Sequence, residues 1–120
     1  IHPNPKVREH RHLLKNVTIV EPLGHTQLIN TLRKSVLVIS DSGGLQEEGT
    51  FFNKKVIVCR KTTERPEGID TGHLHMCESP KHLGDLFGKL IKNPYISERC
   101  PYGDGATSES VLEILRNEKL

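Results

Sequence analysis

A chain of 120 residues with 34% hydrophobic and 27% charged residues has room for one compact domain with a core of moderate size, and its composition is that of a soluble globular protein. A formal net charge of +2 supplies too few cations to track phosphates, and 4% aromatic content too few rings to stack bases, so nucleic acid is not the expected partner. No apolar run approaches membrane-spanning length and no secretory signal precedes the first apolar segment, which points to a cytoplasmic protein with no membrane partner.

Cys59, Cys77 and Cys100 are odd in number and too far apart for a C-x-x-C motif; they read as reduced, mostly buried thiols. The chain opens on Ile1-His2-Pro3-Asn4-Pro5 without an initiator methionine, as the later part of something longer would. From Lys6 to Lys15, Val7, His10, Leu13 and Leu14 recur at roughly helical spacing, with Pro5 at the first turn. Val17–Val20 is expected to be a short strand, Glu21–His25 the loop at its end, and Thr26–Lys34 a helix finishing on basic residues as the dipole prefers. Val36–Ile39 is an apolar β-branched run that reads as a strand buried on both faces.

A Ser-Asp-Ser-Gly-Gly turn then opens a helix to about Phe52, and Val56–Cys59 forms the next strand. Arg60–Arg65 is a basic loop leading to a helix at Pro66, and His73–Cys77 is the last strand. Ser79-Pro80 opens an amphipathic helix through Leu83, Leu86, Phe87, Leu90 and Ile91 that stops at Asn93-Pro94. The turn Cys100–Gly105 precedes a terminal helix with Val111, Leu112, Ile114 and Leu115 apolar. This alternation predicts an α/β fold: a Rossmann-like parallel sheet with helices on both faces. Its strand-to-helix loops leave from one edge, so the loops around Leu23, Ser42 and Arg65 are expected to converge on one crevice.

The centre of that crevice is Ser42-Gly43-Gly44. Two glycines let an anion approach the backbone, and a helix opening there offers free N–H groups and the positive end of its dipole. Glu48, one turn in, suits ribose hydroxyls. The plainer alternative is a Ser42 cap, a glycine turn and two glutamates favouring the dipole. A Walker A loop is excluded because Thr50 stands where its lysine must be. Arg65 suits bidentate grip on a phosphate, or else pairs with Glu64 or Glu67. His73, His75 and Cys77 would share one face of an extended strand, but no fourth ligand is evident, so no metal is expected. His10 and His12 do not share a helical face. No Ser/His/Asp or Cys/His set assembles by spacing, so the chain supplies no catalytic residue of its own; its expected part is holding a leaving group.

Ser40-Asp41-Ser42-Gly43-Gly44-Leu45-Gln46-Glu47-Glu48, then Thr62-Thr63-Glu64-Arg65-Pro66-Glu67, then Pro101-Tyr102-Gly103-Asp104-Gly105, resemble in order and spacing the C-terminal half of UDP-N-acetylglucosamine 2-epimerases. His2-Pro3-Asn4-Pro5 and the Glu21-Pro22-Leu23 loop fit the same pattern, so nearly the whole chain is covered. The resemblance implies the C-terminal half of a GT-B-type fold, residues 1–120 being a UDP-binding domain without its N-terminal catalytic half. It implies Ser42, Gly43 and Gly44 at the diphosphate, Glu48 at the ribose, Arg65 at the nucleotide or sugar side and Leu23 near uracil. His2 would contact a regulatory UDP-GlcNAc. The reaction implied is UDP-GlcNAc to UDP-ManNAc by elimination and re-addition of UDP, or hydrolysis to ManNAc and UDP, with no cofactor. Partners would be UDP-GlcNAc or UDP and the N-terminal epimerase domain, with a homo-oligomer left open. Gly49-Thr50 and Cys100 depart from the usual Ala-Pro and Asn of the family. A non-catalytic nucleotide-sugar sensor and a GT-B glycosyltransferase domain are the alternatives.

Overall fold

A computed structural model describes residues 1–118, and the chain divides into two compact units, Ile1–Thr31 and a larger one beginning at Leu32. In the first unit, Asn4 caps helix α1 (Pro5–Arg8), its Oδ1 accepting from the Lys6 N–H at 2.9 Å. The helix expected over Lys6–Lys15 is therefore cut short, and a separate 3₁₀ turn follows at Arg11–Leu13. Leu13 and Leu14 are exposed, so the apolar face gains no packing, and a helix this short does not persist on propensity alone. The strand expected at Val17–Val20 is also absent. Both valines are half-exposed, at 60% and 48%, and no strand pairs with the segment among the described residues. What ties this unit is polar: Arg8 and Arg11 both face Glu21, and the Ile1 amino group donates to the Val20 carbonyl. The Arg8 hydrogen bond holds the Glu21 carboxyl below the ordinary carboxylate range.

Helix α2 (His25–Lys34) begins in the first unit and ends in the second. The second unit is built on three parallel strands in the order β1 (Leu37–Ser40), β2 (Lys55–Val58), β3 (Leu74–Met76). Parallel neighbours need crossover connections, here supplied by α3 (Gly43–Phe51) and α4 (Glu67–Asp70). The central strand is the dry one: Val56, Ile57 and Val58 are all 0% exposed. The expectation that Val36–Ile39 is buried on both faces fails, because β1 is an edge; Val38 is buried but Ile39 is 46% exposed.

Helices cover both faces of the sheet, as alternation along each strand requires. Ile57 packs with Cys77 and with Leu90 of α5 (Pro80–Ile91), flanked by Leu37, Leu83 and Leu86. On the opposite face α3 comes so close that a Cβ at Gly49 would stand 2.8 Å from Val56 Cγ2 and 3.6 Å from Val38 Cγ2. Helix α6 (Thr107–Asn117) buries none of its side chains.

Asn53 ends α3 in the left-handed region at φ 60°, its N–H donating to Thr50 O at 2.9 Å. Its side chain then reaches into the interior: Nδ2 donates to the Ile96 carbonyl at 3.1 Å, which leaves Oδ1 to accept from His73 Nε2 at 2.9 Å. With Nε2 protonated, His73 Nδ1 accepts from the Thr71 hydroxyl at 2.6 Å. His73 is wholly buried as a neutral ring, and desolvation pushes its pKa down, against a smaller upward pull from Glu98. His75, which donates to the Gly72 carbonyl, is lowered for the same leading reason.

A histidine with a depressed folded-state pKa binds protons more readily in the unfolded chain. Its stabilising contribution is complete above the ordinary histidine value of about 6.5 and is lost as pH falls from there toward the folded-state value. Urea unfolding at stepped pH is expected to show stability falling through that window in the native protein. In His73→Gln the slope should be smaller.

Candidate functional site

The turn between β1 and α3 is organised by two serine hydroxyls. Ser40 Oγ accepts from the Ser42 N–H at 3.0 Å, and Ser42 Oγ caps α3 by accepting from the Leu45 N–H at 3.4 Å. The N–H groups of Gly43 and Gly44 belong to the helical turn that has no intrahelical acceptors.

Arg65 lies over this helix start. A Cβ added to Gly43 would be 3.6 Å from the guanidinium carbon, an approach that leaves the backbone and the cation face to face. Arg65 Nε is 2.6 Å from Glu47 Oε1, an ion pair whose angle does not make it a hydrogen bond, and NH1 is 3.8 Å from Glu64 Oε2. Glu47, from α3, is thus the main partner; the sequence reading offered Glu64 or Glu67. Arg60 turns away to Glu64 at 3.2 Å, so the basic cluster expected at 60–65 is divided among carboxylates.

Three groups hold Arg65 in place, none of them evident from local spacing. Gln46 is fully buried on α3, and its Oε1 accepts from the Thr63 hydroxyl at 2.6 Å. Thr63 Oγ1 in turn accepts the Arg65 N–H at 3.0 Å. Tyr102 donates its hydroxyl to the Arg65 carbonyl at 2.7 Å and accepts the Gly68 N–H at 3.1 Å. Burial raises the Tyr102 pKa, which keeps the phenol a donor. Gly68 has no room for more: a Cβ there would meet Leu74 Cγ at 2.5 Å and Tyr102 Oη at 2.6 Å. Gln46 Nε2 is buried without an acceptor among the described residues.

Glu48 is half-buried and lines a cavity of about 260 Å³ with Glu47, Phe51, Tyr102, Gly103 and Thr107. Ser42, Gly43, Gly44, Glu48 and Arg65 therefore gather around one end and flank of α3 at the carboxyl edge of the sheet. Leu23 and His2 stand in the first unit. Leu23 sits in the irregular stretch before α2, and His2 Nδ1 accepts from the Asn4 N–H at 3.1 Å. His73, His75 and Cys77 each find separate partners, and among the described residues no three metal-binding side chains come together.

Fold and site define a Rossmann-like α/β domain with a glycine-opened helix at the carboxyl edge of a parallel sheet, of GT-B type. The family model described as UDP-N-acetylglucosamine 2-epimerase matches residues 1–116. The Bacillus subtilis enzyme of that name is 37% identical over 125 residues, covering 96% of this chain and 33% of the relative. The Escherichia coli enzyme is 35% identical over 130 residues, covering 100% and 35%. The crystal structure of the Neisseria meningitidis enzyme bound to UDP-GlcNAc superposes with a TM-score of 0.81 at 32% identity, over 98% of this chain and 35% of that one. The Methanocaldococcus jannaschii enzyme in complex with UDP-GlcNAc and UDP gives 0.80 at 27%, over 98% and 34%. The chain belongs to the UDP-N-acetylglucosamine 2-epimerase family, and it spans about a third of the length of these relatives.

Thr63→Val removes the hydroxyl between Gln46 and the Arg65 backbone and strands both partners; a loss of about 1–3 kcal/mol in urea unfolding is expected. Tyr102→Phe removes both bonds of the phenol but leaves the Gly68 N–H and the Arg65 carbonyl a long bond to each other at 3.4 Å, so a smaller loss of about 0.5–1.5 kcal/mol is expected.

Proposed function

We propose that residues 1–120 are the UDP-binding part of a UDP-GlcNAc 2-epimerase, and that the chain alone binds without turning over. The observation that carries this reading is the Arg65 guanidinium set over Gly43 at the start of α3, with Glu48 facing the adjoining cavity. Free N–H groups, a helix dipole and a guanidinium meet at one point, as a diphosphate requires. In this reading Ser42, Gly43 and Gly44 hold the diphosphate, Arg65 adds charge-assisted bonds to its oxygens, and Glu48 accepts from the ribose hydroxyls. Leu23 lies near the uracil and His2 contacts an effector UDP-GlcNAc. The Neisseria enzyme bound to UDP-GlcNAc and the Methanocaldococcus enzyme in complex with UDP-GlcNAc and UDP support the choice of ligand.

Chemically the task is leaving-group stabilisation. When the bond between sugar and UDP breaks, the diphosphate gains charge, and donors already aimed at it lower the barrier without reorganising. The acid and base of the reaction would come from the N-terminal domain that the longer relatives carry, and no cofactor enters. Arg65 is held by Glu47 in the free protein, so a phosphate replaces one anion by another with more acceptor oxygens. Three cysteines, odd in number and without C-x-x-C spacing, support a reducing, cytoplasmic setting.

Calorimetric titration tests this. UDP should bind saturably, and Arg65→Ala should weaken UDP by about 10-fold or more, the equivalent of one charge-assisted hydrogen bond, while changing uridine affinity much less. Equal losses for both ligands would remove the phosphate role. Mixing the chain with an epimerase N-terminal domain and UDP-GlcNAc should give turnover that neither part gives alone. Binding with no turnover in the mixture would favour the sensor reading.

A further inference from the structure

The hydrogen-bonded ladders run one residue beyond the strands. The Cys59 N–H donates to the Ser40 carbonyl at 2.9 Å and the Cys77 N–H to the Val58 carbonyl at 2.8 Å. These bonds extend the registers Ser40↔Val58 and Val58↔Met76, so Asp41, Cys59 and Cys77 stand abreast at the carboxyl edge of the sheet. Cys77 packs on Ile57, on the face that α5 covers, and the chain turns at Cys59, where the Arg60 N–H donates to the Val58 carbonyl at 2.9 Å. Both cysteines line one cavity of about 140 Å³ with Glu78, Pro80 and Leu83. Both are free thiols: Cys59 is exposed, whereas Cys77 is buried with its Sγ donating to the Ser79 carbonyl at 3.3 Å.

We propose that Cys59 and Cys77 form a two-thiol modification site that closes reversibly to a disulfide across the ends of β2 and β3. Neighbouring strands stand about 4.8 Å apart, inside the roughly 4.4–6.8 Å that a disulfide spans between Cα atoms. The Cβ atoms must approach by less than about 1 Å, a movement that residues beyond the last full ladder pair can make. Cys59 reacts first because solvent reaches it. Its thiolate attacks one sulfur of a low-molecular-weight disulfide such as glutathione disulfide and expels one thiolate. The Cys77 thiolate then attacks the Cys59 sulfur and expels the second. Two electrons pass from the protein to the oxidant, and the two protein protons end on the released thiols. The pKa of Cys59 is raised by burial first and then by Cys77 and Asp41, so exchange should quicken as pH rises. The ring so formed encloses the segment that carries Arg65 and α4. Cys100 lines other cavities, beside Phe51 and Gly103.

The purified protein is equilibrated with glutathione disulfide, then analysed by thiol titration after denaturation and by non-reducing peptide mapping. The expected result is loss of two of the three thiols, a linked pair of peptides holding Cys59 and Cys77, and full reversal by dithiothreitol. Cys59→Ser changes an exposed residue and should keep the far-UV spectrum while losing all intramolecular linkage; Cys77→Ala should leave Cys59 as a stable mixed disulfide. Retention of all three thiols overturns the proposal. So does a link to Cys100, or a mixed disulfide on Cys59 in the native protein that Cys77 never resolves.

Discussion

The setting of the candidate site depends on one part-buried hydrogen bond, from the Thr63 hydroxyl to the Gln46 amide oxygen. Gln46 is sealed from water on α3, and Thr63 belongs to the loop after β2; the bond is what joins the helix that opens at the glycines to the loop that ends at Arg65. Gln46, at 0% exposure, has no water as an alternative, so its amide oxygen would be costly to leave alone, whereas Thr63 is only half-buried. Thr63 passes the constraint on by accepting the Arg65 N–H, and Tyr102 fixes the same residue from its carbonyl side. Arg65 is thus held through its backbone, while its long side chain is steered by Glu47 and by the open backbone at Gly43.

Electrostatically the site is poised. The guanidinium is not a bare cation, since carboxylates of α3 and of its own loop stand against it. These are partly exposed pairs and modest in strength. A ligand with several anionic oxygens competes well against them, and a neutral one does not. The glycine-opened helix contributes direction, because its free N–H groups lie along the axis of α3.

Much of this architecture was legible in the sequence. The continuous apolar run of β2 is that of a buried parallel strand, and Ser42 and Ser79-Pro80 mark helix starts that the structure keeps. Elements that failed were those whose formation depends on packing: Val17–Val20 has strand composition but finds no ladder among the described residues, and Lys6–Lys15 has helical spacing but leaves Val7, Leu13 and Leu14 exposed. Val36–Ile39 has the composition of an interior strand and occupies an edge. The missed site residues, Gln46, Thr63 and Tyr102, act through partners far along the chain, and no periodicity reports such pairs. The same is true of His73, which by spacing shares a strand face with His75 and Cys77 but is locked to Asn53 inside the fold.

Gly49 shows how helix and sheet share a single allotment of space. In isolation a glycine within a helix reads as a weakness, costing about 1 kcal/mol against alanine. Here it lets α3 settle onto Val56, where any side chain would collide. Bulk at one of these two positions is therefore emptiness at the other, and the identity of either residue is intelligible only as half of a pair. An exchange at position 49 that is harmless in a relative with a slimmer strand residue would be read here as a wedge.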